Sequence, residues 1–371
     1  MWACKPLRLG VASSLGRGWS EHHVTRLLGE VDHSAEPPSR ASRGFFFHML
    51  AAVVTVTGTT GTTNGTWTKL ADGPWSAREG LMAVEAKEGV YLTGGRAFFG
   101  SAATKDVWFS INGSSWSKRP AASFSERAYH AMFSFNDCIY VMGGQKVSFV
   151  GNPFYNDVWE SCDGAQTWQS LGNAPWTTRA GLGFATFDNK MVIGAGCYGG
   201  SIGPSRLFLN DVWSSSDGRS WEQLTSNASW SPRSGPRMIG FNGKLYLIAG
   251  EVGFTADTQL VDIWSSDDGT VWTLVTASPG FSPRSGHGVV VHAGEVLMIA
   301  GWPELHDLWA SQDMLTWELR SNSTWNCNAT KCGKFDFWPL VTSKGTILTV
   351  GGSNAYSTFG KMWADTWELT C

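Results

Sequence analysis

The sequence carries little charge of either sign. Asp, Glu, Lys and Arg make up 16% of its 371 residues, the formal net charge is -3 and the isoelectric point is about 6.2. Proteins that bind DNA or RNA through the phosphate backbone present clustered Lys and Arg. The composition therefore argues against nucleic acid as a partner.

Long apolar runs are also missing. The run at residues 44–56, GFFFHMLAAVVTV, is shorter than the roughly 20 residues that cross a bilayer. It follows Arg40 and Arg43 and precedes a polar stretch, which is typical of the apolar core of a secretory signal. We expect residues 1–61 to be a leader with little order. Membrane attachment is expected only if segment 44–56 is retained as an anchor.

What the sequence does have is an internal repeat. The stretch NDVWSSSDGRSW at 210–221 has an Asp two residues before one Trp and a turn before a second Trp. Similar segments start at Lys105, Asn156, Val261 and His306, and a truncated copy ends the chain at Cys371. Self-similarity at a fixed period indicates a repeat architecture.

Each repeat has further fixed points. In five units an Arg lies 17 residues before the second residue of a Gly-Gly or Ala-Gly pair, and an aromatic residue lies three residues before that Arg. The arginines are Arg78, Arg127, Arg179, Arg233 and Arg284, and the aromatic residues are Trp75, Phe124, Trp176, Trp230 and Phe281. The sixth unit has Phe335 at the offset of the Arg, so it departs from the pattern.

Each unit predicts four short antiparallel strands, A to D. Runs such as KLYLIAG and EVLMIAG are short, rich in β-branched residues and bounded by turn pairs such as Asn242-Gly243. Repetition about every 51 residues indicates a β-propeller. Six Trp residues on strand C and six on strand D give six blades. We therefore predict an all-β, six-bladed propeller of four-stranded antiparallel blades over residues 62–371.

Ring closure follows from the position of Trp67. This Trp precedes the first strand A, while no strand D follows the last strand C. We expect residues 66–71 to supply the outer strand of the sixth blade. Pairing of the N-terminal strand with the C-terminal blade would remove a free sheet edge.

These features resemble the kelch-repeat propellers. The marks are the Gly pair that ends strand B and the openings of strand A, SPRSGP at 231–236 and SPRSGH at 282–287. The resemblance covers about residues 65–371, and hairpins such as SSDGRSW are similar to a shortened Asp-box of sialidase-type propellers. It implies the fold, and the function has to be argued from the site because kelch domains host unrelated activities.

The alternating strand directions define two faces. The A-to-B and C-to-D turns lie on one, the tight-turn face, and the B-to-C and D-to-A connections lie on the other, the loop face. The long, dissimilar B-to-C loops are typical of binding loops on a rigid scaffold. Because the arginines begin the innermost strands, they are expected to ring the mouth of the central channel on the loop face.

This ring is the predicted ligand-binding site. Guanidinium groups bind carboxylates in a fork, and flat aromatic rings stack on sugars or peptide side chains. The predicted ligand-binding residues are Arg78, Arg127, Arg179, Arg233, Arg284, Trp75, Trp176, Trp230 and Phe281. The kelch resemblance implicates Arg233 and Arg284 most directly, since the matching Arg contacts acidic peptides in some kelch domains. The alternative is that each Arg pairs with an Asp of strand C.

Export is favoured by sequons and cysteines. The predicted glycosylation sites are Asn64, Asn112, Asn227, Asn322 and Asn328, each in an N-x-S/T sequon. The predicted disulfides join Cys327 to Cys332 and Cys138 to Cys162. We expect a secreted or cell-surface monomer.

Catalysis has weak support, and no catalytic residue, metal or cofactor is predicted. A sialidase needs a Tyr-Glu pair, for which Tyr129 near Glu126 is the candidate. A copper centre of the galactose-oxidase type needs clustered Tyr and His, but His130 and His287 fall in opposite blades.

The predicted function is recognition of a glycan or an acidic peptide at the Arg-rich loop face. A protein-assembly scaffold is the first alternative. A glycan-active enzyme of the sialidase or mutarotase type is the second, with Glu126, Glu251 and Glu304 as acid-base candidates for a mutarotase.

Overall fold

The structure is a computed structural model, and it describes residues 65–97, 102–147, 153–200, 205–326, 333–354 and 361–370. Within them, six four-stranded antiparallel sheets form the six blades of a propeller, as predicted. A two-stranded ribbon extends the B-to-C loop of blade three. No described helix is long and apolar enough to cross a membrane. Segment 44–56 lies outside the described residues.

The strands follow in the order A to D within each blade. Blade one contains β2 (Glu79–Ala86), β3 (Gly89–Arg96), β4 (Val107–Ser110) and β5 (Ser117–Lys118). Blade two contains β6 (Ala131–Phe135), β7 (Cys138–Met142), β8 (Asp157–Ser161) and β9 (Gln169–Asn173). Blade three contains β10 (Gly183–Phe187), β11 (Lys190–Gly194), β14 (Val212–Ser215) and β15 (Glu222–Thr225), and its ribbon is β12 (Cys197–Gly199) with β13 (Arg206–Phe208).

Blades four to six complete the ring. Blade four contains β16 (Arg237–Phe241), β17 (Lys244–Glu251), β18 (Gln259–Ser266) and β19 (Thr273–Thr276). Blade five contains β20 (Gly288–His292), β21 (Glu295–Gly301), β22 (Leu305–Ser311) and β23 (Glu318–Ser321). Blade six contains β24 (Trp338–Val341), β25 (Ile347–Val350), β26 (Thr366–Thr370) and β1 (Thr66–Lys69). Short 3-10 turns span Ala256–Thr258 and Thr324–Asn326.

The ring closes as the sequence predicts. Strand β1 pairs antiparallel with β26, and Trp67 lies opposite Leu369. Trp67 is buried in the same apolar cluster as Leu369 and Trp325. The first described strand is thus the outer strand of the last blade.

The two-residue hairpins arise from local sequence. Asn242 and Gly243 join β16 to β17 and both have positive φ, at 47° and 73°. Asn and Gly tolerate this left-handed backbone, which matches the twist of the flanking strands. Strand β17 then runs through the core with Leu245 and Leu247 buried.

One backbone hydrogen bond recurs at each blade boundary. The N–H of the second Gly in the pair donates to the carbonyl of the residue at the Arg position of the next blade. These bonds join Gly95 to Arg127, Gly144 to Arg179, Gly196 to Arg233, Gly250 to Arg284, Gly301 to Lys334 and Gly352 to Arg78. The series places Lys334, rather than Phe335, at the sixth Arg position.

Candidate functional site

The arginines predicted to bind a ligand are buried and paired with carboxylates. Each guanidinium forms a two-pronged ion pair with the strand C Asp of its own blade, with N–O distances of 2.6 to 3.1 Å. The pairs are Arg78–Asp106, Arg127–Asp157, Arg179–Asp211, Arg233–Asp262 and Arg284–Asp307. No arginine of this set is more than 2% exposed.

Each guanidinium also donates to two backbone carbonyls. In blade three, for example, Arg179 Nε donates to the carbonyl of Thr177 and Nη1 donates to that of Ala195, both at 3.0 Å. The same carboxylate, Asp211, accepts 2.8 Å from Trp213 Nε1. The Asp-x-Trp motif therefore exists because one carboxylate holds an arginine fork and an indole N–H.

The ion pairs of blades one and four lower the pKa of their carboxyl groups. Burial raises the pKa of Asp106, but hydrogen bonds and charge from Arg78 outweigh it and leave the pKa lowered. The pKa of Asp262 is lowered in the same way by Arg233. Both carboxyl groups are ionised at neutral pH.

The predicted stacking aromatics are buried as well. Each packs edge-on against the strand D Trp of its blade, as in Trp75–Trp116 at 4.8 Å and Trp230–Trp272 at 5.9 Å between ring centroids. Trp176 meets Trp221 at 5.9 Å and Phe281 meets Trp317 at 5.3 Å in the same arrangement. None is more than 5% exposed.

This geometry corrects the expectation that the Arg and aromatic residues line an open channel mouth. Buried guanidinium groups that already pair with a carboxylate and backbone carbonyls have a structural role in their own blade. The arrangement is the one stated as the alternative, in which each Arg pairs with an Asp of strand C. Direct ligand contact by these residues stays untested.

Blade six achieves the same arrangement with different residues. Lys334 Nζ lies 2.8 Å from both carboxylate oxygens of Asp365, and Asp365 accepts from Trp367. Trp325 takes the place of the aromatic residue, 5.0 Å from Lys334 and 5.7 Å from Trp67. The fixed offset missed Lys334 because blade six has one extra residue in its A-to-B turn.

The extra residue is visible in the strand register. In blade four Phe241 pairs with Lys244 across two turn residues. In blade six Thr342 N–H donates to Thr346, which leaves three residues between them. The Gly pair therefore lies 18 rather than 17 residues after the cation.

The neck of the central channel is a ring of left-handed backbone. The residue two positions after each cation has a φ between 52° and 64°. These residues are Gly80, Tyr129, Gly181, Gly235, Gly286 and Asp336. Backbone hydrogen bonds join neighbouring members, as from Tyr129 to Gly80 and from Gly80 to Asp336. A Cβ on Gly286 would lie 2.4 Å from Asp336 Oδ1, so Gly also provides room there.

A polar cluster adjoins this neck. Tyr129 Oη donates to Glu79 Oε1 at 3.0 Å, and Arg96 Nε donates to the same oxygen at 2.8 Å. The sequence pairs Tyr129 with Glu126, whereas the structure pairs it with Glu79. Burial, followed by the nearby carboxylates, raises the pKa of Tyr129 well above its usual value despite Arg96. The protonated phenol of Tyr129 thus joins two blades through its hydrogen bond to Glu79 and is a poor nucleophile.

Asp336 and Arg237 both line the cavity at the neck. Burial and the charge of Glu79 raise the pKa of Asp336 to about 7, although Arg237 and Arg96 lower it. Burial lowers the pKa of Arg237 to about 10. Arg237 lies over the ring of Trp338 at 4.6 Å, and Trp338 stacks on Phe184 at 5.1 Å. Because Phe184 and Trp338 belong to opposite blades, their contact fills the channel below the neck.

The predicted histidines do not form a metal site. His130 and His287 are fully buried in blades two and five, and neither ring has a hydrogen-bond partner. Burial, reinforced by the charge of Arg127, lowers the pKa of His130 well below its usual value. Burial, reinforced by Arg237 and then Arg284, does the same for the pKa of His287. Both act as packing residues of the inter-blade layer.

The loop face holds an arginine that sequence reasoning missed. Arg206 begins β13 in the ribbon of blade three, and its guanidinium lies 5.1 Å from the ring centroids of both Phe154 and Phe254. Nη1 reaches Gln145 Oε1 and the carbonyl of Gly200 at 3.3 Å. Its Nε has no hydrogen-bond partner. The three B-to-C loops that meet here come from blades two, three and four.

A buried carboxyl group lies near this arginine. Glu251 accepts from Ser285 Oγ at 3.1 Å and from Gln259 Nε2 at 3.2 Å. Burial raises the pKa of Glu251 to about 8, with Asp336 adding to the shift and Arg206 opposing it. Arg206 therefore faces a region whose negative charge is small at neutral pH.

The other predicted residues divide between described and undescribed parts. The structure forms the predicted Cys138–Cys162 disulfide, while Cys327 and Cys332 lie outside the described residues. The predicted glycosylation sites Asn112, Asn227 and Asn322 are exposed, and Asn64 and Asn328 are not described. Glycosylation and export stay predictions.

Comparison with known proteins adds one match. A family model described as the KLHDC2/KLHL20/DRC7 Kelch-repeats domain matches residues 80–301. The matched span runs from strand A of blade one to strand B of blade five. Curated proteins yield no match.

Proposed function

The chain belongs to the KLHDC2/KLHL20/DRC7 Kelch-repeats domain family, and we propose that it is a protein-interaction module whose loop face binds an acidic peptide segment. The observation that carries the proposal is Arg206, a partly exposed cation held between two phenyl rings on the loop face. A charge-assisted fork to a carboxylate is the interaction such a group makes best.

The position of Arg206 supports recognition rather than folding. The scaffold arginines are 0–2% exposed and each has a carboxylate partner. Arg206 is partly exposed and lies on a variable loop, where it bonds to an amide oxygen and a carbonyl oxygen and interacts with the Cys197 thiol. Binding residues concentrate on such loops when the scaffold beneath them is rigid.

A peptide fits this surface better than a glycan. Stacking on sugar rings requires exposed flat aromatics, and the aromatics predicted for that role are buried in the core. Phe154 and Phe254 are occupied by the guanidinium of Arg206. An acidic side chain can approach the partly exposed guanidinium of Arg206 and the edges of these rings.

The test uses the full-length chain and an array of acidic peptides with matched arrays in which Asp and Glu become Asn and Gln. We expect binding of acidic peptides that weakens with salt. Arg206→Ala should weaken it about 10-fold or more, since a hydrogen bond to a charged group contributes about 1.5–3 kcal/mol. Arg206→Lys should retain part of the affinity.

Arg219→Ala is the matched control. Arg219 is half exposed on the tight-turn face, in the C-to-D hairpin of blade three, so its loss should leave peptide binding unchanged. Equal affinity in Arg206→Ala and wild type would refute the site. If acidic glycans bind in a parallel array and no peptide binds, the peptide proposal is wrong and the loop face is a glycan-binding site.

A further inference from the structure

A second candidate site lies on the opposite face of the ring, in blade two. Cys138 begins β7, and Glu160 and Cys162 lie at the end of β8 and just beyond it. Their ligand atoms all lie within 4.8 Å of one another. This set is independent of Arg206 and of peptide binding.

The strand register explains why these side chains meet. Cys138 and Cys162 occupy the positions just outside the pair Ile139–Ser161. At the same positions of other blades, Lys244 contacts Asp267 and Gln312 donates to Glu295 at 3.0 Å. The position therefore brings any two polar side chains into contact, and blade two places two sulfur atoms there.

Glu160 is the third residue of this set. It lies opposite Tyr140, where the corresponding strand C residues are Phe109, Ser214, Ser265, Ala310 and Glu368. Its side chain is only 17% exposed. Blade six therefore has a Glu at the same position, but only blade two places two cysteines beside it.

Neighbouring residues hold this carboxylate in place. Tyr140 Oη donates to Glu160 Oε1 at 2.6 Å, and Arg219 lies 3.7 Å from Oε2. Hydrogen bonds of this kind orient metal-ligating carboxylates, and their loss weakens metal binding. Arg219 also offsets the excess negative charge of two thiolates and one carboxylate around a divalent cation.

We propose that the reduced Cys138–Cys162 pair and Glu160 bind one zinc-type divalent cation. Tetrahedral zinc accepts two thiolates and a carboxylate, and sulfur ligands about 2.3 Å from the metal lie roughly 3.8 Å apart. Cys162 is exposed, so water can fill the fourth position. The disulfide and the metal are alternative states of one cluster.

The chemistry balances with a dithiol as reductant. The dithiol gives two electrons and two protons, the Cys138–Cys162 bond breaks into two thiols, and the reductant closes into its own disulfide. On metal binding both thiols release their protons to water as the metal–sulfur bonds form, while the Glu160 carboxylate binds as an anion. The site is therefore closed to metal under oxidising conditions and open under reducing ones.

The test titrates Cd(II) into the full-length chain. A Cys327→Ser/Cys332→Ser background removes the other closely spaced cysteine pair. The protein is reduced with a phosphine, separated from reductant and titrated without oxygen. We expect thiolate-to-cadmium ultraviolet absorbance that saturates at one equivalent, and none in the oxidised protein. Zn(II) should displace the cadmium.

Variants decide which residues bind. Cys138→Ser should abolish the absorbance. If Cys138→Ser is too unstable to titrate, Cys162→Ala serves as the test variant in its place. Glu160→Gln and Tyr140→Phe should each weaken binding about 10-fold or more, while Glu318→Gln on the exposed outer strand of blade five should not. Absence of saturable absorbance in the reduced protein, or equal affinity in Cys138→Ser or Glu160→Gln, would overturn the site.

Discussion

Each blade pairs the Asp of its strand C with a cation, but blade six uses a different cation from blades one to five. Five blades use an Arg fork, whereas blade six uses Lys334 with two 2.8 Å contacts to Asp365. Lys334 is surrounded by Trp325 and Trp363 at 5.0 and 4.9 Å, which replace part of the planar packing of a guanidinium. The position thus requires a cation for the strand C Asp, and only its chemical identity varies.

The largest effect is expected from breaking an Arg blade. Arg179→Ala leaves Asp211, whose side chain is 12% exposed, without its partner. Removal of one partner of a buried pair costs about 3–5 kcal/mol. We expect that loss in the free energy of unfolding, measured by urea denaturation of the full-length chain.

A double variant checks the cause. Arg179→Met/Asp211→Asn removes both charges and keeps an acceptor for Trp213, so it should be more stable than Arg179→Ala. If the double variant is as unstable as the single one, the cost comes from lost packing rather than from an unpaired carboxylate.

A smaller effect distinguishes Lys from Arg in blade six. Burial lowers the pKa of Lys334 from 10.5 to about 8, since the attraction of Asp365 offsets only part of the desolvation. The folded protein therefore releases this proton at a lower pH than the unfolded chain. The penalty for the charged Lys is full below pH 8 and is relieved as the pH rises from 8 to 10.5.

Lys334→Arg should remove this pH dependence. We expect the stability of wild type to rise relative to Lys334→Arg between pH 8 and pH 10.5, by at most about 1.4 kcal/mol per pH unit. Denaturation of both proteins across this range measures the difference. Parallel stability curves would show that Lys334 keeps its proton throughout.

The smallest effect concerns the extra turn residue of blade six. Replacing Ser343-Lys344-Gly345 by Asn-Gly restores the two-residue hairpin and removes two exposed hydrogen bonds, one from Ser343 to Glu85 and one between His292 and the carbonyl of Gly345. Surface changes of this kind stay within about 1 kcal/mol. A loss as large as that of Arg179→Ala in the same assay would mean that the turn positions Lys334.

The sequence predicts the fold well because the signals of a repeat are local. Alternating apolar runs, Asn-Gly turns and the Trp pairs specify blades, and Trp67 shows how the ring closes. The position of Lys334 was missed because counting at a fixed offset assumes turns of equal length. The available signal was the Lys that begins KFDFW, in a unit that ends with Asp-x-Trp.

The candidate site was harder to predict than the fold. Residues that recur in every blade are usually part of the scaffold. The repeated arginines are nevertheless predicted from the sequence as ligand-binding residues, and their burial and their ion pairs argue against that role. Arg206 occurs once, and its partners Phe154 and Phe254 come from different loops. Only the folded ring brings these three side chains together. Glu160 has the same difficulty, because its relation to Cys138 depends on strand register.

The closure between β1 and β26 also determines how the ring responds to force. Thr66 lies opposite Thr370, so the described ends of the chain leave side by side on the tight-turn face. Tension applied between these ends would load the residue pairs of the two strands one after another, from Thr66–Thr370 to Lys69–Trp367, which is the unzipping geometry. The propeller is therefore mechanically weakest at its seam, and a pulling experiment should open blade six first.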